Sequence, residues 1–325
     1  MKAPVRLHMN EMPYAAPEGV ISAAREGLAH LHRYSDGEEM QVLKDLVAEA
    51  SETDARRVVL SPGSDILLRE LVYLFSRGRN VMVPSPSFFS TIQAAKHTAS
   101  RITSLRLFPP RFDLDPDMIL ELVREPSLVI IDNPNNPTGQ PLLDRPMVES
   151  LLGNPDVLLV IDEAYYGFFP ETFAGMVQQH RNLAVTRTLD KIYSLAGARI
   201  GYMVAGDAFL EPFSLIPVLL PQASLYAAVE AMRNPEYVSV NVARIIQERD
   251  RMTDALRRLN AVVYPSSANF LLVETGQDDI APRLRERGVL ITDLSSQMAP
   301  GYVRVSIGSR EENDIFLDAY EKINA

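Results

Sequence analysis

Cysteine is absent from the 325 residues. That excludes a disulfide framework, a thiolate metal site and a cysteine nucleophile, and it fits a reducing compartment. No apolar run approaches the roughly 18 residues that a membrane span requires. The opening MKAPVRLHMNEMPY lacks the apolar core of a secretory signal, so the expected location is cytoplasmic. Positive charge is also scarce: 32 Lys+Arg against 42 Asp+Glu gives a net charge of −10. With no Lys/Arg-rich tract, nucleic acid is not an expected partner. A GxSxG elbow, an HExxH pair and a GxGxxG turn after a strand are all missing. The histidines are His8, His30, His32, His97 and His180. His30 and His32, two apart, would point to different sides of a helix, and they read as surface residues, so no metal site is expected.

What is present describes an ordinary globular chain, 46% hydrophobic and 23% charged. Short runs rich in Val, Ile and Leu at Asn80–Pro84, Arg101–Leu107, Leu128–Asp132, Val157–Asp162, Leu183–Thr186 and Ile200–Ala205 read as strands. Helical stretches lie between several of them, at Ser64–Ser76, Phe88–Lys96 and Arg145–Leu152. This alternation predicts an α/β unit, a mainly parallel sheet covered on both faces, over residues 35–230. Pro235–Leu259 reads as one long charged helix. Strands at Asn269–Glu274, Val289–Thr292 and Tyr302–Ile307, with helices at Ile280–Arg287 and Glu311–Ile323, predict a smaller α+β domain over 231–325. Residues 1–34 are too few to fold alone and are expected to pack onto it.

Four segments stand out chemically. In TRTLDKIYSLAGARIGY, Lys191 follows a strand among small and apolar residues, with Arg199 eight positions later. A buried lysine loses its charge readily, and a neutral amine is what forms a Schiff base. For a lone lysine, a surface loop is the plainer reading. In VLLVIDEAY, Asp162 ends an apolar strand, where α/β sheets bind ligands and where an unpaired carboxylate is costly. A structural ion pair or a helix cap would also explain it. DNPNNPTG follows another strand and by composition is a turn, yet Asn136 has amide hydrogens to donate to an oxyanion. In VVLSPGSDIL a strand runs through SPGSD into a helix whose start suits a phosphate. An N-cap by Ser64 or Asp65 is the simpler account of that segment alone.

In this order and spacing the four outweigh their separate plain readings, and the chain resembles the class I/II, fold-type I aminotransferases that use pyridoxal 5′-phosphate. The branch it is most similar to is that of histidinol-phosphate aminotransferase. The match spans nearly the whole chain and includes Ala268–Phe270 and YVRVSIGSREEND at Tyr302–Asp314. The resemblance implies a seven-stranded, mainly parallel sheet, a homodimer, and amino transfer between an amino acid and a 2-oxo acid through a Schiff base on Lys191. It implies that Asp162 holds the pyridine nitrogen protonated and that Asn136 and Tyr165 bond the 3′-oxygen. Phe88 would stack on the ring, and Gly63, Ser64, Asp65, Thr188 and Arg199 would surround the phosphate. Tyr34 would reach the neighbouring subunit's phosphate, and Arg304 would grip the substrate's acid group with Asn136 beside it. A decarboxylase like that acting on threonine phosphate, or an oxidase or lyase, shares most of this set and is the alternative.

Four departures from the branch bear on function. Asp190 stands where Ser is usual; an ionised carboxylate only accepts, so Asp190 must turn away, take a proton or pair with a cation, and cofactor retention is expected to weaken. Phe88 replaces a common Tyr. Pro217–Gln222 is apolar where an aromatic and an Asn are usual, which is expected to make that pocket wall more apolar. Thr292 stands where an Arg helps bind the substrate's phosphate, and the chain begins too late to supply a substrate-contacting N-terminal Tyr. Both points disfavour histidinol phosphate as the substrate.

Overall fold

A chain that alternates β-branched apolar runs with amphipathic helices can bury both faces of a parallel sheet, and the protein is built this way. The structure, a computed structural model, describes residues 3–35, 37–214 and 218–324. The first half runs β1 (Val5–Arg6), α1 (Glu18–Leu28), α2 (Glu38–Ala50), β2 (Val58–Ser61), α3 (Ser64–Phe75), β3 (Asn80–Ser85), α4 (Phe89–Thr98), β4 (Arg101–Arg106), α5 (Pro116–Leu122), β5 (Ser127–Asp132), α6 (Arg145–Leu152) and β6 (Val157–Asp162). The second half runs β7 (Leu183–Thr188), β8 (Gly201–Ala205), α7 (Asp207–Ser214), α8 (Gln222–Arg233), α9 (Glu236–Arg258), β9 (Val262–Val263), β10 (Phe270–Glu274), α10 (Ile280–Glu286), β11 (Val289–Leu290), β12 (Thr292–Asp293), β13 (Tyr302–Ser306) and α11 (Arg310–Asn324).

The main sheet has seven strands in the order β2-β8-β7-β6-β5-β3-β4. Pairings from β4 through β7 are parallel, and β8 is antiparallel to both of its neighbours. Strand periodicity sorts the side chains into two cores. Along β5, Leu128 and Ile130 face Leu67, Leu71 and Phe75 of α3. Val129 and Ile131 face the opposite layer with Leu43, Val148 and Leu151. Burial on both faces is why β5 and β6 read as unbroken apolar runs. It also makes the carboxylates that end them conspicuous, because Asp132 and Asp162 sit side by side in register at the sheet's carboxyl edge.

The smaller unit is a four-stranded antiparallel sheet, β12-β13-β10-β9, packed under α9 and α11. Here too alternation places the chemistry. Val303 and Val305 enter the core with Phe316 and Tyr320, so Arg304 between them points to the other face, opposite Leu272, which joins the large unit's core. The expected single strand Val289–Thr292 is two short strands. Val289 and Leu290 pair with β1, while Thr292 and Asp293 pair with β13. Ile291, buried between them, is where the chain passes from one partner to the other.

Residues 3–35 divide between the units. Leu7 enters the small core, whereas α1 lies along α8 and Val20 enters the large one. We therefore propose that the small domain takes the first strand with residues 236–324, and that α1 belongs to the large domain.

Gly201 holds β8 close to the start of α3. A Cβ there would run into the backbone of Gly63 and Ser64. Gly201→Ala is expected to cost about 3 kcal/mol or more, because backbone cannot step aside as a side chain can. Denaturant unfolding of the variant checks this.

Candidate active site

The carboxyl ends of β5, β6 and β7, the start of α3, the turn after Lys191 and the N-terminal segment enclose a cavity of about 580 Å³. Its wall holds Ser64, Asp65, Phe88, Asn136, Asp162, Tyr165, Thr188, Lys191, Arg199 and Arg304, all expected from the sequence. Gly63 stands behind the wall; its φ of 103° suits glycine, and a Cβ there would collide with the Arg199 guanidinium. Tyr34 is not brought to this cavity, being 79% exposed elsewhere.

On the floor, Asp162 is buried and accepts from the Thr186 hydroxyl at 2.8 Å. Burial, with the Thr186 bond opposing it and the Asp132 charge adding to it, pushes its pKa up to about 7. It has no cationic partner among the described residues. The NPNNPTG turn is wound around its neighbour. Asp132 accepts from Ser87 Oγ, Asn135 Nδ2 and the Asn136 amide at 2.9, 2.9 and 2.8 Å, and Asn133 Oδ1 receives the Leu142 and Leu143 amides. These side chains replace the hydrogen bonds that a sheet would otherwise supply, and they hold Asn136 at the cavity rim.

Lys191 donates to the Met9 carbonyl at 3.3 Å. Burial pushes its pKa down to about 8, with Asp190 opposing the fall and Arg304 and Arg199 adding to it. Arg304 donates to Asn136 Oδ1 at 2.5 Å, the His8 carbonyl at 2.8 Å and Thr292 Oγ1 at 3.2 Å. Its Nε is buried without a partner, and among the described residues no carboxylate pairs with it. Thr292 is thus a support for Arg304, its own hydroxyl donating to the His8 carbonyl.

Arg199 sits at the start of α3, bonded to both Asp65 and Asp190. Of the three outcomes open to Asp190, the structure takes the third, pairing with a cation. The Pro217–Gln222 expectation is not met where it can be followed: Val218–Gln222 do not line the cavity, and Ser35 bonds the Leu220 backbone both ways; Pro217 lies outside the described residues.

Sequence reasoning missed Met9, Asn10, Glu11 and Asp132 in the wall. Asn10 Nδ2 donates to the Tyr165 hydroxyl at 2.9 Å, and Asn10 is itself fixed by Ser306 and Asn269. Burial pushes the Tyr165 pKa up to about 12, so the phenol keeps its proton to donate. The available signals were the polar pair in MNEMPY and the Asp opening DNPNNPTG.

The residues present fit a ligand with a basic ring nitrogen at Asp162, an electrophile for the Lys191 amine and an anion beside Ser64, Thr188 and Arg199. The comparisons point the same way. The family model described as aminotransferase class I and II matches residues 2–319. A histidinol-phosphate aminotransferase from Sulfurisphaera tokodaii is 31% identical over 96% of this chain and 88% of that protein. Histidinol-phosphate aminotransferase 2 from Archaeoglobus fulgidus is 32% identical over 99% of this chain and 94% of that one. The crystal structure of histidinol-phosphate aminotransferase from Sinorhizobium meliloti in complex with pyridoxal-5′-phosphate superposes with a TM-score of 0.89, at 25% identity, over 99% of this chain and 91% of that one.

Proposed function

The chain belongs to the class I and II aminotransferases and works with pyridoxal 5′-phosphate, and from that premise we propose how its residues divide the work of amino transfer. Bound, the cofactor supplies an electron sink for the carbon that loses a proton. Lys191 would hold the cofactor aldehyde through its amine, and, once the substrate's amine has displaced it, the freed amine would move a proton between substrate carbon and cofactor carbon. Asp162 keeps the ring nitrogen protonated. Tyr165 donates its phenolic hydrogen to the ring's 3′-oxygen. Asn136 donates there too, since its Oδ1 is taken by Arg304 and its amide hydrogens remain. Phe88 covers a ring face. Gly63, Ser64, Thr188 and Arg199 hold the phosphate, and Asp65 acts through Arg199, as a carboxylate and a phosphate repel. Tyr34, exposed here, serves the neighbouring subunit of a homodimer, and the enzyme works in the cytoplasm. No helix among the described residues is long and apolar enough to cross a membrane.

One observation carries this reading: a single cavity unites an amine whose charge is weakened by burial with a buried carboxylate that has no cation of its own. Decarboxylation and oxidation are not favoured, because the relatives named above at more than 30% identity are aminotransferases by name.

The same wall argues the substrate class. Glu11, Asp65, Asp132, Asp162 and Asp190 face Lys191, Arg199 and Arg304, and Arg199 already has two acids. Arg304 is the cation left for a substrate, and its planar fork matches one carboxylate. Thr292 adds no charge for a phosphate ester. We therefore propose an amino acid bearing a single acid group as the amino donor, in preference to histidinol phosphate. The test is a panel of donors followed by the absorbance change from the aldehyde to the amine form of the bound cofactor. Neutral amino acids are expected to convert it at least about tenfold more efficiently than histidinol phosphate. Equal efficiency on the two would refute the substrate assignment, and no conversion by any donor would refute the transfer itself.

A further inference from the structure

Two carboxylates share the arginine of the phosphate cradle, and one of them has an oxygen left over. Arg199 donates through Nη2 to Asp65 and through Nη1 to Asp190. Asp190 is 7% exposed, and its other oxygen, Oδ1, is buried with no hydrogen-bond partner. Leaving a buried carboxylate oxygen without a donor is expensive, and either a ligand or a proton relieves it.

Asp190 stands in a partition. On one side is the cavity that holds Ser64, Thr188, Lys191 and Arg199; on the other is a second cavity behind the cradle, of about 410 Å³. The groups that face it can be named element by element. Its own loop brings Thr188, whose hydroxyl accepts the Asp190 amide at 3.0 Å, and Lys191. The turn that follows brings Arg199 and Ser194, whose hydroxyl is also buried without a partner. Asp65 of α3 lies beyond Arg199. Across the second cavity stand Arg6, Glu11 and Tyr14 of the N-terminal segment and Glu312 of α11.

Resting on the assignment of pyridoxal phosphate to this site, we propose that Asp190 governs how firmly the chain holds the cofactor's phosphate, loosening it when charged and retaining it when protonated. A charged Asp190 competes with the phosphate for Arg199 and adds a like charge beside it. Having no hydrogen, it offers the phosphate no donor. On taking one proton from solvent, the same side chain gives up its claim on Arg199 and presents an O–H. Burial already favours that proton, with the Arg199 and Lys191 charges opposing it. An anion arriving in the cradle favours the proton further, so cofactor binding and proton uptake are linked.

The experiment compares the holoenzyme with Asp190→Ser and Asp190→Asn. Cofactor release into a scavenger is followed by loss of bound-cofactor absorbance. Release from the wild type is expected to quicken roughly tenfold as the pH is raised from about 5 to about 8. Both variants, which have no titrating group at 190, should show no more than about a twofold contrast and should outlast the wild type at the higher pH. The cofactor's own ionisations act on all three proteins alike, so the difference belongs to residue 190. Calorimetry of cofactor binding to the apoproteins, in two buffers of different ionisation heat, should register more proton uptake by the wild type than by either variant, since Asp162, Lys191 and the cofactor's own groups titrate in all three. Equal release rates at the two pH values, a contrast that persists in both variants, or proton uptake no greater in the wild type than in the variants would overturn the proposal while leaving the cofactor assignment standing. A chain that binds no pyridoxal phosphate at either pH would refute both.

Discussion

Lys191→Ala is expected to abolish amino transfer, leaving less than about one part in ten thousand of the wild-type rate, because a covalent anchor and a proton carrier are lost together. No other lysine lines the cavity among the described residues. The amine at 191 is prepared for both tasks by its surroundings. Burial, with help from Arg304 and Arg199, weakens its charge, and the Met9 carbonyl orients it. With a pKa pushed down to about 8, a substantial share of the amine is neutral at physiological pH, and the neutral form is the one that attacks a carbonyl. Steady-state assays with saturating cofactor measure the loss. Borohydride reduction followed by peptide mass analysis should find the cofactor on Lys191 in the wild type and on no residue of the variant. Unchanged circular dichroism would show that the fold survives. Full activity in Lys191→Ala, or reduced cofactor attached at another lysine, would sink the assignment.

Much of this site could be read before any coordinates because local rules placed it. An apolar strand that ends in Asp162, a turn of Asn and Pro after β5 and a lysine in a tight turn after β7 all follow from strand period and turn chemistry. Those same rules put Arg304 on the face opposite Val303 and Val305. The residues missed are those brought in by long-range pairing. Asn10 meets Tyr165, 155 positions away, only because β1 has found β11 and carried the N-terminal segment to the cavity mouth. Nothing near MNEMPY specifies that partner. The split of β11 from β12 has the same cause, two different strands competing for neighbouring residues. The pairing of Asp190 with Arg199 was one of three outcomes that composition left open, and the geometry of the turn chose among them. Tyr34 is a different case: the role proposed for it lies in a second subunit, and one chain's contacts carry no trace of that.

Asp162→Asn should have the second-largest effect, a loss of about a hundredfold to a thousandfold in kcat/KM, the range in which removing one member of a buried charge pair falls. An amide cannot hold a proton on the ring nitrogen, so the carbon that gives up its proton would lose its electron sink. A stability measurement separates this from a folding defect, and its sign can be worked out. In the apoprotein the Asp162 carboxyl binds its proton up to about pH 7, whereas in the unfolded chain an aspartate gives its proton up near the ordinary value of about 4. The native state therefore holds more protons than the unfolded state between about pH 4 and about pH 7. Across that window the apoprotein loses stability as pH rises, by up to about 4 kcal/mol from this group. Asp132, which burial also raises, is present in both proteins, so the difference between them reports position 162 together with its charge coupling to Asp132. Asp162→Asn should abolish this part of the slope and make the apoprotein the more stable of the two at neutral pH. Bound cofactor should abolish it in the wild type too, because a ring cation then stabilises the charged carboxylate. Denaturant titrations of the two apoproteins and the wild-type holoenzyme at about pH 5 and about pH 8 read all three. If the apoproteins showed parallel pH dependence, Asp162 would already be charged without the cofactor, and the argument that it waits for a ring cation would fail.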